Sequence, residues 1–453
     1  MTTKPAGTSA NIFLLRSALV AALGGLLFGF DTAVIAGATR ALTETYGLSP
    51  AMLGFTVSSA LWGTVLGSIL AGYPSDRFGR LAALRVVAVL YMVSAIGCAL
   101  AWDWYALVVF RVIGGLAIGG SSVIGPMYIA EIAPAVRRGR LVALFQFNVV
   151  LGILLAYLSN YLVGLAGFGS AEWRWKLGVA AVPAVLFFLA LFGIPQSPRW
   201  LVRRGRYEEA RQVLLKVGEQ DVDRELEDIM ATVTVERAQL SVPLFQARYR
   251  RPILLAITIG MFNQLTGINA ILYYLNDIFA RAGFDKVSSD LQAVAVGFTN
   301  LVFTVIAMSQ IDRLGRKKLL LVGAAGTACC LAGVSYVFFT GAHQGMLLWL
   351  LMLFIAFFAF SQGSVIWVYI SEVFPNLVRA KGQSLGSFTH WFMNAIISGV
   401  FPMMAAASGG APFAFFTAMT VLQFFVVLVF YPETKGASLE ELDRKMDAGR
   451  LAH

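Results

Sequence analysis

Twelve apolar runs, most of them about 20 residues long and separated by short polar connections, leave this chain few folds to choose from. A helix of that length crosses about 30 Å of hydrocarbon, and it satisfies its own backbone hydrogen bonds where lipid cannot. The runs fall at roughly 13–38, 51–73, 82–102, 105–131, 141–165 and 175–194, then 252–280, 289–311, 317–340, 346–372, 383–407 and 412–431. Only 13% of the residues are charged and 58% are hydrophobic, too little polar surface to coat a soluble domain. Gly and Pro recur within the runs, which suits close packing and kinks in membrane helices. The expected fold is therefore all-α and membrane-embedded.

Internal repetition says how the helices are grouped. Asp76-Arg77-Phe78-Gly79-Arg80 returns as Asp312-Arg313-Leu314-Gly315-Arg316, 236 residues later. Glu131 and Arg138, seven apart, return as Glu372 and Arg379 at a shift of 241. Pro195-Gln196-Ser197-Pro198-Arg199 and Pro432-Glu433-Thr434-Lys435-Gly436 are 237 apart. Three charged motifs in one order at nearly one offset make the halves copies of each other, the pattern of a transporter built from two bundles. The expected organisation is a six-helix bundle at 1–194, a linker with short helices at 195–251, a second bundle at 252–431 and a tail at 432–453.

Basic residues give the orientation. Arg40, Arg174, Lys176, Arg281 and Lys286 lie in the odd-to-even loops and Arg111 lies inside a span. The remaining Lys and Arg sit in or beside the termini and the even-to-odd connections, which places both termini and the linker in the cytoplasm. The same bias accounts for the net charge of +10, so nucleic-acid binding is not implied. The first run is too long for a signal peptide and contains Asp31, so it reads as a retained helix of a multi-pass cell (inner) membrane protein. Cys98, Cys329 and Cys330 lie in spans and read as small packing residues, with no disulfide or metal spacing.

In Asp-Arg-x-Gly-Arg, the glycine allows a tight turn, and the acid and arginines can form ion pairs between neighbouring helix ends. Asp76, Arg77, Arg80, Glu131, Arg138 and Arg199, with Asp312, Arg313, Arg316, Glu372, Arg379 and Glu433, are the candidate cytoplasmic gating network.

With these motifs, Gly29-Phe-Asp-Thr-Ala-Val-Ile-Ala-Gly37, Arg111-Val-Ile-Gly-Gly, Pro126-Met-Tyr-Ile-Ala-Glu131 and Gln264-Leu-Thr-Gly-Ile-Asn269, the chain resembles a sugar porter of the major facilitator superfamily along essentially its whole length. The resemblance implies two pseudo-symmetric six-helix bundles, alternating access and no cofactor beyond a coupling proton. It departs from the family pattern at Gln196 (usually Glu), Gly363-Ser364 (usually Gly-Pro), Leu81 (usually basic), Asn263 (usually Gln) and His390 (usually Gln or Asn).

Asp31 and Arg111 are the charges well inside the spans, where a lone charge costs about 2.5 kcal/mol or more. The first and fourth helices are neighbours in the resembled fold, so the two can pair and form the proton-coupling site. Arg111 moving closer or farther would let Asp31 bind and release a proton, and a swing of two pKa units is about 2.7 kcal/mol. Facilitative members of the resembled family usually carry Asn at this position, so Asp31 favours symport over uniport.

A sugar needs groups that both donate and accept, plus an aromatic platform for the ring face. The resemblance implies Phe28, Gln146, Asn263, Gln264, Asn269, Tyr273, Asn300, Trp367, His390, Trp391 and Asn394 as the contacts. Helical spacing itself places Asn269 with Tyr273, and His390 with Asn394, on common faces.

The expected function is proton-driven import of a neutral monosaccharide, hexose ahead of pentose or inositol, by a monomer. A facilitative uniporter is the alternative. A sugar sensor is expected to carry a long signalling tail, whereas about twenty residues follow Gly436. Multidrug efflux suits a broader apolar cavity. No nucleophile–base set, metal cluster or phosphate loop argues for an enzyme.

Overall fold

The computed structural model describes residues 8–134, 137–239, 242–375 and 377–435; these form helices and turns, with no strand among the described residues. Helix α1 (Thr8–Val34) ends in a 3-10 turn, and short α2 (Thr39–Tyr46) leads to α3 (Pro50–Leu70) and α4 (Gly72–Phe78). Next come α5 (Arg80–Ala99), α6 (Trp104–Ile132) and α7 (Arg138–Ala166), and a sixth span divided into α8 (Glu172–Gly178) and α9 (Ala181–Ala190). The linker forms α10 (Pro198–Arg203), α11 (Tyr207–Lys216) and α12 (Val222–Gln239).

The seventh span is in three pieces, α13 (Arg250–Leu265), α14 (Ile268–Tyr273) and α15 (Leu275–Arg281). It is followed by α16 (Lys286–Leu314) and α17 (Arg316–Thr340). The tenth span is broken into α18 (Leu347–Phe360) and α19 (Gln362–Glu372), and α20 (Arg379–Ala407) and α21 (Ala411–Phe430) complete the chain.

Among the described residues, eleven helical stretches are long and apolar enough to cross a membrane. Helix α20, the eleventh span of the sequence reading, has the length at 29 residues. Its apolarity is diluted by Gln383, Ser384, Ser387, Thr389, His390, Asn394 and Ser398. The breaks in the seventh and tenth spans have local causes. Gly267 takes φ 79°, and a Cβ there would also stand 2.2 Å from the Phe416 ring. Ser361 adopts φ −121° and ψ −89°, and Ser364 Oγ donates to the Ala359 carbonyl at 2.8 Å, so the tenth span breaks without the proline expected from the resemblance.

The contacts divide into two compact units. One takes 8–34, 59–134, 137–159 and 167–239; the other takes Ile35–Ser58, Asn160–Ala166 and everything described from Val242 onward. In the first unit, the core of α1, α5, α6 and α9 continues into the linker through Trp200, Leu201, Ala210 and Val213, so α10 and α11 are docked by their apolar seam. In the second unit, residues 35–58 pack on α15 and α20. A Cβ on Gly54 would stand 1.9 Å from the Gly399 carbonyl oxygen, and Gly37 abuts the Asn160 side chain. The duplication alone draws its boundary between halves. The contacts assign these three span ends to the other unit, where Gly54 allows the backbone of α20 to approach.

Small residues also set the packing inside the first unit. Gly63 and Gly67 of α3 interlock with Gly115 and Gly119 of α6, the small-xxx-small device of membrane helices. A Cβ on Gly115 would stand 1.9 Å from the Ala60 carbonyl oxygen and 2.8 Å from the Gly63 Cα. Neither backbone can yield without parting the helices. Gly115→Val is therefore expected to abolish monodisperse protein in detergent size-exclusion chromatography; a normal elution profile would refute this packing.

Candidate functional site

The first unit holds the buried charge pair. Arg111 of α6 is 5% exposed, and Asp31 of α1 is partly exposed. A Cβ placed on Gly114, one turn from Arg111 on α6, would stand 3.8 Å from Asp31 Oδ1 and 2.4 Å from Ser94 Oγ. The carboxylate thus occupies the gap that a glycine leaves in α6, within electrostatic reach of Arg111. Polar groups of α5 complete the surroundings. Cys98 also lies within the field of both charges, and Tyr91 Oη is 2.9 Å from Ser121 Oγ. The sequence reading missed Tyr91, Ser94 and Ser121, because lone hydroxyls in apolar spans carry no pattern. Cys98, read as packing, is buried there and lies beside the charges.

The second unit gathers the amides. Asn269 Nδ2 on α14 donates to Gln264 Oε1 at 3.1 Å, and Gln264 Nε2 on α13 reaches Asn263 Oδ1 at 3.1 Å. The same Gln264 Nε2 lies 3.2 Å from both ring nitrogens of His390 on α20. The imidazole ring is 5.0 Å from the Trp367 ring of α19 and packs edge-on against Trp391. One turn on, Asn394 donates to Tyr273 Oη at 3.1 Å and accepts from Ser398 Oγ at 3.0 Å.

Asn263, Gln264, Tyr273, His390, Trp391 and Asn394 are buried, while Trp367 presents 37% of its surface. Asn300 is buried on α16. The broken helices α13–α14 and α18–α19 bring these groups together, as discontinuous helices do in transporters. Phe28 and Gln146 lie in the first unit, both partly buried on α1 and α7.

The repeated charged motifs form one set of bonds in each unit. Arg80 donates to Glu131 through Nε at 2.9 Å and Nη2 at 2.8 Å, and its Nη1 reaches Asp76 at 2.8 Å. In the copy, Arg316 donates to Glu372 at 3.1 and 2.8 Å. Both arginines start a helix after a glycine in a conformation only glycine takes readily, φ 97° at Gly79 and 88° at Gly315. Asp76 also binds Arg203 at 3.2 Å, and Arg138, exposed at the start of α7, lies within electrostatic reach of Glu225 on α12. Arg379 Nε contacts the Phe374 carbonyl at 3.4 Å, and the Arg313 carbonyl accepts from Lys435. Arg77 is exposed and Arg199 half-buried at the start of α10. The side chain of Asp312 lies outside the described residues.

The Gln196 departure keeps the geometry and changes the charge. Glu433 caps α17 by accepting from the backbone N–H of Arg316 at 2.8 Å and of Lys317 at 3.1 Å. Burial by itself would raise the Glu433 carboxyl, but the backbone donors of Lys435, Arg316 and Lys317 outweigh it and hold the group below the ordinary carboxylate range. In the first unit, Gln196 Oε1 accepts from the Leu81 N–H at 3.3 Å, a neutral cap on the equivalent helix. A carboxylate there would gain about 0.3–1 kcal/mol from the helix dipole. Gln196→Glu is thus expected to raise the melting temperature by up to about a degree. A depressed carboxyl stabilises above its unfolded pKa and loses that contribution as pH falls through its folded one, so the gain should vanish on acidification. No gain at neutral pH would sink this.

Three comparisons place the chain among known proteins. A family model described as "Sugar (and other) transporter" matches residues 17–446. The arabinose-proton symporter of Bacillus subtilis is 38% identical over 439 residues, 95% of each chain. The glucose transport protein of Synechocystis sp. is 38% identical over 464 residues, 97% of this chain and 99% of that one. The partially occluded, inward-open structure of the Escherichia coli xylose transporter superposes with a TM-score of 0.85 at 35% identity, covering 94% of this chain and all of the other.

Proposed function

Because the chain belongs to the sugar (and other) transporter family, whose work is transport and not catalysis, we propose that it imports a neutral monosaccharide by proton symport and alternating access. The observation that carries proton coupling is the Asp31 carboxylate over Gly114, one turn from the buried Arg111. An acid in that place favours its proton when Arg111 is distant and its charge when Arg111 is near. Substrate binding then has to be linked to that exchange, which is the requirement for uphill transport.

The amides of Gln264, Asn269 and Asn394 supply donors and acceptors for hydroxyls, and Trp367 supplies a face for the ring. The charged sets around Arg80 and Arg316 act as gating elements at the end where basic residues cluster, the end assigned to the cytoplasm together with both termini. Relatives named for a pentose and for a hexose are equally similar in sequence, so the choice between five- and six-carbon sugars is open.

Counterflow in proteoliposomes against a panel of labelled pentoses and hexoses, with and without a pH gradient, tests the reading. One sugar is expected to exchange, and its addition to lightly buffered vesicles should alkalinise the medium. Exchange without any proton movement would make the protein a uniporter. Within the site, Gln264→Ala removes the group that joins Asn263, Asn269 and His390, at about 1–3 kcal/mol. The KM for sugar is expected to rise about 10- to 100-fold; an unchanged KM would take Gln264 out of the site.

A further inference from the structure

We propose that Tyr91 and Ser121 form a hydroxyl relay through which Asp31 exchanges its proton with the end of the first unit that carries Glu131. This rests on the reading of Asp31 as the proton site and adds the route.

The relay follows from the faces of α5 and α6. On α5, Ser94 lies beside the Asp31 carboxylate over Gly114, and Tyr91 is one turn farther from it toward Arg80. Tyr91 is 4% exposed, lies in the field of Asp31, and meets Ser121 Oγ at 2.9 Å. Ser121 is fully buried and also donates to the Ile118 carbonyl at 3.0 Å. Along α6 the seven residues from Gly114 to Ser121 cover about 10 Å at 1.5 Å per residue. Another seven lead to Tyr128, whose hydroxyl donates to the Pro195 carbonyl at 2.6 Å, and Glu131 follows. Among the described residues, the groups bearing charge or a titratable proton in the field of Asp31 are Arg111 from α6, and Tyr91 and Cys98 from α5. Cys98 stands two turns from Tyr91 on the side away from Arg80, so the hydroxyl route leads in one direction only.

An apolar pair of the same shape can stabilise a core nearly as well as two facing hydroxyls, so the hydrogen bond is not required for packing alone. Each is both donor and acceptor, and that is the property a relay needs. The proton of the Asp31 carboxyl passes, through water in the space that leaves Asp31 partly exposed, to Tyr91 Oη. Tyr91 gives its own proton to Ser121 Oγ, and Ser121, turning from the Ile118 carbonyl, gives its own to water that enters when the Glu131 end opens in the transport cycle. Both hydroxyls end neutral and rotate back, and Asp31 is left as a carboxylate beside Arg111.

Tyr91→Phe deletes one oxygen and keeps the ring. Sugar uptake driven by a pH gradient is compared with counterflow in the same proteoliposomes, across external pH, beside Ser121→Ala and Asp31→Asn. The ratio of proton-driven uptake to counterflow is expected to fall about 10- to 100-fold in both hydroxyl variants, the scale of losing a positioned proton carrier, with a shifted pH profile. If both keep the wild-type ratio and profile while Asp31→Asn is uncoupled, the relay is wrong and the coupling site stands. If Asp31→Asn still accumulates sugar, the coupling reading itself fails. Equal loss of uptake and counterflow in the hydroxyl variants would make the pair a packing element and overturn the relay.

Discussion

Asp31→Asn is expected to abolish uphill sugar accumulation in proteoliposomes while counterflow exchange continues. Asparagine keeps the shape and the polar atoms that lie over Gly114, so α1 and α6 can pack as before. It removes the one carboxyl of the two groups, and with it the group read as the proton carrier. A gradient of one pH unit is worth about 1.4 kcal/mol per proton, which supports about tenfold accumulation at one proton per sugar. The variant should equilibrate to no accumulation at all. Arg111, 5% exposed, then loses the field of the Asp31 carboxylate, so a slower exchange rate is also expected. Accumulation persisting above about threefold in the variant would show that another group carries the proton.

The second large effect separates the two copies of the charged motif. The side chains of Arg80 and Glu131 are 2% and 7% exposed, against 10% and 26% for Arg316 and Glu372. Removing one member of a buried pair costs about 3–5 kcal/mol, and Arg80 would keep only the exposed Asp76, at 2.8 Å, as a countercharge. Glu131→Gln is therefore expected to lose most folded protein or to melt far below the wild type. Glu372→Gln should cost less, about 1–3 kcal/mol for a charged hydrogen bond with water at hand. Arg316 also keeps the Ile311 carbonyl at 3.2 Å in that variant. Thermal melting followed by size exclusion of both proteins decides it. A larger loss from Glu372→Gln would mean that exposure is not what grades the two copies.

Much of this was legible in the residues. A 20-residue apolar run in a chain with few charges has one stable solution in lipid, so helix number and rough bounds follow from composition. Identical motifs at a constant offset have one economical explanation, so the two matching halves follow too. The buried pair of Asp31 and Arg111 stood out because charges inside spans are costly. The amide set around Gln264 depended on family resemblance, since a single buried amide has no spacing that tells a ligand from helix glue. Other groups were hidden by position. Asp277 and Asp290 lie at the ends of the runs at 252–280 and 289–311 and carried no expectation, yet Asp290 is 2% exposed and bonds Asn276. Asp277 lies within reach of the Thr39 hydroxyl and the charges of Arg281 and Arg40.

Sequence alone determined the membrane class, the helix count, the duplication and the identity of the charged and amide residues. These depend on properties that add along the chain: length, apolarity and repeated order. Tertiary structure decided which residues meet. It paired Arg80 with Glu131, 51 positions away, and not with a member of the other copy. It seated Gln196 where the other half has Glu433, set Tyr91 against Ser121, and gathered residues 35–58 with the second unit. Such meetings depend on helix rotation and on backbone approach at particular glycines, and neither quantity is a sum over local sequence.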